Sequence, residues 1–203
     1  MARHVRERVT VSVSLERDDI IAGLRDLVAE LSAAGEVAGI RIVGGAALAL
    51  RYFDRGVTRD VDTLHVNPGT DSAVAAAAER VAARRDWDAS WLNFEVTNAD
   101  ALPTLGRTVE WETIVDRDGV VIQVASPEAL LAMKLRANRP GRDTRDIRLL
   151  LGLCGLADLA AIEEFYEDFY PGDSLSDRAL DIVTRILADG PLDAPTPPPS
   201  PRI

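Results

Sequence analysis

Two aspartates two positions apart, Asp60 and Asp62, stand in the run Thr58-Arg59-Asp60-Val61-Asp62. On an extended strand, residues at that spacing point to the same face and set two carboxylates side by side. Like charges held so close repel, and a divalent cation relieves them. Magnesium bound by a carboxylate pair and by substrate phosphates is suited to phosphoryl and nucleotidyl transfer. An isolated Asp-x-Asp is more often a solvated strand face, so the pair needs company to carry meaning. Its company is Gly44-Gly45. Paired glycines let backbone N–H groups approach a phosphate, and a helix starting there adds partial positive charge.

The elements that must position these residues follow from periodicity. Residues 40–43 form a short apolar run ending at Gly44-Gly45, and 46–53 resumes helical character. Residues 60–66 alternate as a strand closed by Asn67-Pro68-Gly69. A glycine pair, one short helix and a return to a carboxylate strand bring phosphate cradle and metal ligands into one pocket. Around this core, Asp18 or Asp19 caps a helix with Ile20, Leu24, Leu27, Val28 and Leu31 at helical spacing, ended by Gly35. Asp71 or Ser72 opens an alanine-rich helix to about Arg84. Extended segments over 108–115 and 120–124 flank the hairpin turn Asp116-Arg117-Asp118-Gly119. Ser126 as N-cap and Pro127 at the first helical position start a helix continuing to Asn138. Further helices are expected over 142–153, 156–169 and 174–188. The start alternates at Val9, Val11 and Val13 without a clear period.

The fold class read from this order is α/β (α+β): a small mixed sheet with flanking helices, followed by a helical C-terminal part. The expected divisions are 1–125 for the α/β core, 126–188 for helices packed on it, and 189–203 for a disordered tail. That tail reads PLDAPTPPPSPRI and offers little to bury.

Composition agrees with a globular chain. The 203 residues are 47% hydrophobic and 28% charged, with a net charge of −10. Such a balance argues against non-specific nucleic-acid binding, although Arg136, Arg139, Arg142, Arg145 and Arg148 form a local basic series. That series is read equally as a substrate-facing patch or as a solvated face paired with Asp143 and Glu128. No apolar run is long enough to span a membrane, and the basic start lacks the apolar run of a signal peptide, so a cytoplasmic location is expected. The single cysteine, Cys154, sits in an apolar run and reads as a small core residue.

The stretch IVGGAALALRYFDRGVTRDVDTL resembles the opening motif of the polymerase-beta-type nucleotidyltransferase superfamily. More narrowly, it is similar to the AbiEii/AbiGii toxin group and its MenT-like members. The likeness continues in Trp91-Leu92-Asn93 and in SPEALLAMKLRANRPGRDTRDIRLLL. The matched segments cover roughly residues 40–66 and 120–151. The resemblance implies the nucleotidyltransferase fold, a Mg2+-dependent mechanism, a nucleoside triphosphate donor, transfer of nucleotides to tRNA, and a cognate antitoxin. It further implies that Gly44 and Gly45 hold the triphosphate, with Thr58 bonding a phosphate or the metal shell. Asp60 and Asp62 would be metal ligands, and Lys134 would neutralise charge developing on the triphosphate. Asp146 would complete the site or orient Lys134, and Arg59 and Arg55 would serve the phosphates.

One position departs from the superfamily pattern. A third carboxylate is usual on a later strand, where VVIQVAS carries Gln123. Three explanations stand: the toxin group manages with Lys134 and Asp146, Glu95 or Glu112 fills the role, or the chain is a non-catalytic binding protein. A protein hydroxyl or a small molecule is an alternative acceptor to tRNA. His4 and His65 lack partners in sequence, and His65 falls at odd spacing from Asp62, which turns it from the carboxylates. Trp87, Trp91 and Trp111 are read as core residues before base-stacking ones.

Overall fold

The computed structural model describes residues 14–95 and 101–203; the alternating start and His4 lie outside the described residues. Helix α1, Arg17–Ala33, starts at Glu16, whose N–H donates to the Asp19 carboxylate at 2.9 Å. Asp19 therefore closes the first turn from inside it rather than capping it. Strand β1 is Ala38–Ile42, helix α2 is Gly44–Arg51 and strand β2 is Val61–Val66. The glycine pair is thus the first turn of α2, and Asp60 lies one residue before its strand. Helix α3, Asp71–Arg85, is capped by the Thr70 hydroxyl, which accepts from the Ala73 N–H at 3.2 Å. A 3-10 turn at Ala89–Trp91 leads into β3, Leu92–Asn93, for which no strand was expected.

Strands β4, Trp111–Arg117, and β5, Val120–Ala125, form a hairpin. Asp116 and Arg117 stay paired across it, so the turn is only Asp118-Gly119, both at positive φ. That is the two-residue turn whose twist suits a hairpin, and it takes Asp and Gly because both positions need the left-handed region. Four helices follow: α4, Pro127–Ala137; α5, Thr144–Cys154; α6, Leu159–Phe169; and α7, Asp177–Ala188. Ser126, Asp158 and Ser176 each accept an N–H from three residues on, which fixes where α4, α6 and α7 begin.

The five strands form one mixed sheet in the order β3-β2-β1-β5-β4. Central β1 runs antiparallel to β2 and parallel to β5. Register fixes the two faces. Ile40 pairs with Ile122 and Ile42 with Val124, and all four are fully buried against α1 and α2. The opposite face carries Arg41, paired with Gln123 on one side and Leu64 on the other. Asp62, two residues from Leu64, shares this second face. Helix α4 packs against α2, α5 and α6, so the C-terminal helices close over the end of α2. Core residues of the sheet and of the last four helices form one hydrophobic cluster.

Residues 190–203 contain no helix or strand, as their prolines dictate, yet they make contacts that composition does not foretell. Arg148 donates to the Pro191 carbonyl at 3.0 Å, Arg17 to that of Pro199 at 2.5 Å, and Arg25 to that of Arg202 at 2.6 Å. A Cβ on Gly152 would lie 2.4 Å from the Asp193 carbonyl oxygen, so the chain passes directly over α5 there. Among the described residues, no helix is long and apolar enough to cross a membrane.

Candidate functional site

A cavity of about 370 Å3 opens where β1 ends and α2 begins, lined by Gly44, Asp62, Glu95, Met133, Lys134 and Arg139 among others. Gly44 has φ +65°, which an L side chain rarely adopts, and a Cβ there would meet Asp62 Oδ2 at 2.5 Å. The backbone at the start of α2 and the carboxylate of β2 are therefore in direct apposition. At Gly45 a Cβ would lie 2.7 Å from Arg55 Nη1 and 3.1 Å from the Thr58 hydroxyl. The two glycines have different neighbours: Gly44 abuts the carboxylate, and Gly45 abuts a cation and a hydroxyl.

Asp62 is half-buried beside Asn93, whose amide lies 3.4 Å from Oδ1. Burial and the charge of Asp60 hold its carboxyl above the usual range, against the opposing pull of Asn93, Arg139 and Arg142. A buried carboxylate made uncomfortable by a second carboxylate is a donor set that suits a hard cation. Among the described residues, no group of three or more His, Cys, Asp or Glu is arranged to hold a metal. A magnesium ion here would draw on Asp60 and Asp62 and would need substrate phosphates and water for the rest of its shell. Thr58 is buried, and its hydroxyl donates to the Asp60 carbonyl at 3.2 Å, which ties the approach to β2.

Lys134 is buried on α4. Its ammonium lies 2.6 Å from Asp143 Oδ1 and 2.9 Å from Asp146 Oδ2. Arg55 Nε donates to the same Asp146 oxygen at 3.0 Å. Asp143 is fully buried and also accepts from Arg139 through the backbone N–H and Nε. Burial opposes its ionisation, but the hydrogen bonds of Arg139 and Lys134 outweigh that and hold its carboxyl below the usual range. Three cations thus share two carboxylates. Lys134 donates a hydrogen bond to Asp143 and is ion-paired with Asp146, and an ammonium has three protons to offer.

Asp143 is the residue that sequence reading underrated, naming it only as an arginine partner in one of two equal readings. Its signal was available: Asp143 is the N-cap of α5 and Asp146 lies one turn on, so both side chains fall toward one end of that helix.

The structure brings together Gly44, Asp62 and Lys134, and joins Asp146 to Lys134. Thr58, Arg59 and Arg55 line a second cavity that also includes Asp146, with Arg55 and Thr58 beside Gly45. Glu95 lines the first cavity with Asp62, whereas Glu112 is paired with Arg51 at 2.5 Å. Gln123 lies on the open sheet face, but its oxygen accepts from Arg41 Nε at 3.1 Å and its amide donates to Thr113 at 3.2 Å. Arg41 itself stacks over Trp111, 4.5 Å from the ring centre. His65 faces the side opposite Asp62 and pairs with Asp71 at 2.7 Å. Trp91 is buried, its indole N–H donating to the Ala78 carbonyl at 3.0 Å, with Trp87 packed edge-on against it.

Comparisons with protein-family models, with curated proteins and with solved structures find no match for this chain.

Proposed function

We propose that this protein is a Mg2+-dependent nucleotidyltransferase, acting as the toxin of a toxin–antitoxin pair and adding nucleotides from a nucleoside triphosphate to the 3′ end of tRNA. The observation that carries the chemical part is the convergence of Gly44, Asp62 and Lys134 on one cavity. The tRNA acceptor and the antitoxin rest on the resemblance of the Gly44–Asp62 and Ser126–Leu151 segments alone.

In this reading the backbone at the start of α2 receives phosphate oxygens, helped by the partial positive charge of the helix end. Asp60 and Asp62 would hold magnesium, which when bound offsets the negative charge of the phosphates. Lys134 donates an ammonium proton to a triphosphate oxygen as charge builds there, a contribution of several kcal/mol in a preorganised site. Asp143 and Asp146 keep that ammonium from swinging away. The acceptor hydroxyl attacks the α-phosphate in line; its O–P bond forms, the bond to pyrophosphate breaks, and the hydroxyl proton passes to water.

One observation favours a second reading, a binding protein without catalysis: Gln123 is engaged by Arg41 and Thr113, so no third carboxylate stands at that strand position. The test is transfer of label from each α-labelled nucleoside triphosphate to total tRNA with magnesium, beside Asp60→Ala. Labelled tRNA that vanishes in the variant supports transfer. Label that persists in Asp60→Ala overturns the metal site, and no label on tRNA, protein or small molecules gives the lead to the binding protein.

A further inference from the structure

Arg55, Arg59, Arg142 and Arg145 line a second cavity, of about 470 Å3, together with Thr58 and Asp146. Among the described residues its one carboxylate is Asp146, already paired with Lys134 and Arg55. Two of the four guanidinium groups are fixed in place. Arg55 donates to the Val57 carbonyl at 3.0 Å, and Arg145 donates to the carbonyls of Asp54 and Arg55 at 3.0 and 3.3 Å. The guanidinium groups of Arg59 and Arg142 have no partner among the described residues. On a chain of net charge −10, this is a local excess of positive charge that the fold leaves uncompensated.

The two cavities meet at one ion pair, with Lys134 lining the first and its partner Asp146 the second. They differ in chemistry. The first sets Asp62 and Glu95 beside Lys134, Arg136 and Arg139 and the apolar side chains of Leu130 and Met133, which suits a nucleoside whose phosphates come with a metal. The second offers, among the described residues, no unpaired carboxylate for a metal but four arginines, which bind phosphate oxygens without one. Phosphodiesters carry one charge each and are held in this way in nucleic-acid complexes.

We propose that the cavity of Arg55, Arg59, Arg142 and Arg145 binds the phosphodiester backbone of the acceptor strand, leaving the nucleotide to the cavity of Asp62. This assignment rests on the transfer reading above. It gives Arg59 a different partner from the one its place in the Asp60 motif implies.

The probe is a fluorescein-labelled 12-nucleotide single-stranded RNA without a triphosphate, titrated with the full chain in EDTA and followed by anisotropy across a salt series. The wild type is expected to bind with a salt-dependent affinity. Arg59→Ala/Arg142→Ala, both exposed positions, is expected to bind at least tenfold more weakly. Its log–log salt slope should also be shallower, by about 0.7 for each phosphate that the variant no longer neutralises. No binding by the wild type overturns the proposal, as does equal binding by the double variant. Magnesium–nucleotide binding is titrated in parallel on wild type, the double variant and Asp62→Asn. A larger loss for nucleotide than for RNA in the double variant assigns the cavity to the triphosphate and overturns the proposal. Failure of the transfer reading shows elsewhere, as nucleotide binding that is absent from the wild type or indifferent to Asp62→Asn.

Discussion

Gly44 leaves room for one oxygen of Asp62 and nothing more: a Cβ at that position would stand 2.5 Å from Oδ2. The φ of +65° adds a second reason for glycine. We expect Gly44→Ala to cost about 1–2 kcal/mol from the left-handed backbone alone. It should also displace the carboxylate, and a shift of about 1 Å at a reacting centre costs on the order of 100-fold in rate. Transfer activity and a urea melt on the same preparation check both. An alanine variant with full activity would show that Asp62 and the start of α2 need not touch.

Burial and the neighbouring Asp60 disfavour charge on Asp62, the charge a metal would need, so function and stability pull against each other there. Asp62→Asn removes that repulsion with little change of shape. We expect the variant to melt higher than wild type in metal-free buffer, by about 2–4 °C for each kcal/mol recovered. Added magnesium should narrow the gap by stabilising only the wild type. A lower melting temperature for the variant without metal would contradict the repulsion inferred between the two carboxylates.

Asp143 works in the opposite sense. Its folded carboxyl lies below the ordinary value of 3.8, so its contribution is complete above that value and is lost as pH falls through the folded one. We expect Asp143→Asn to destabilise by about 3–5 kcal/mol near neutrality, because Lys134 and Arg139 lose a buried partner. The difference from wild type should shrink once the pH is taken below 3.8 and the native carboxyl takes its proton. Urea midpoints at the two pH values decide the matter; a gap independent of pH would mean the carboxylate is not what holds the loop.

Cys154 should be inert. Burial pushes its thiol up to about 12, and the thiolate is the reactive form. In a thiol-labelling assay near pH 8, reaction with a disulfide reagent is expected only after unfolding. Rapid labelling of the native chain would show that the end of α5 opens.

Much of the site was legible because backbone chemistry announces itself. Ser126-Pro127 marked the start of α4 to the residue, and Asp118-Gly119 marked the hairpin. The Asp60–Asp62 spacing set Asp62 on the open sheet face through its register with Leu64 and Arg41. What sequence could not supply was distance between segments. That Lys134 is wedged between Asp143 and Asp146, or that Arg41 occupies Gln123, depends on how α4 and β1 are laid against their neighbours. The tail contacts are of the same kind: its prolines forbid a helix, but carbonyls held by Arg17, Arg25 and Arg148 leave no trace in composition.

The parallel partner of β1 is β5, and α2, β2, α3, β3 and β4 are all translated between them. During synthesis, Ile40 therefore emerges long before Ile122 exists to pair with it. One edge of the central strand must wait, open to any other strand, until the hairpin clears the ribosome. The order of the sheet leaves the nascent chain open to mispairing at that stage, and slow translation through α3 would lengthen the exposure.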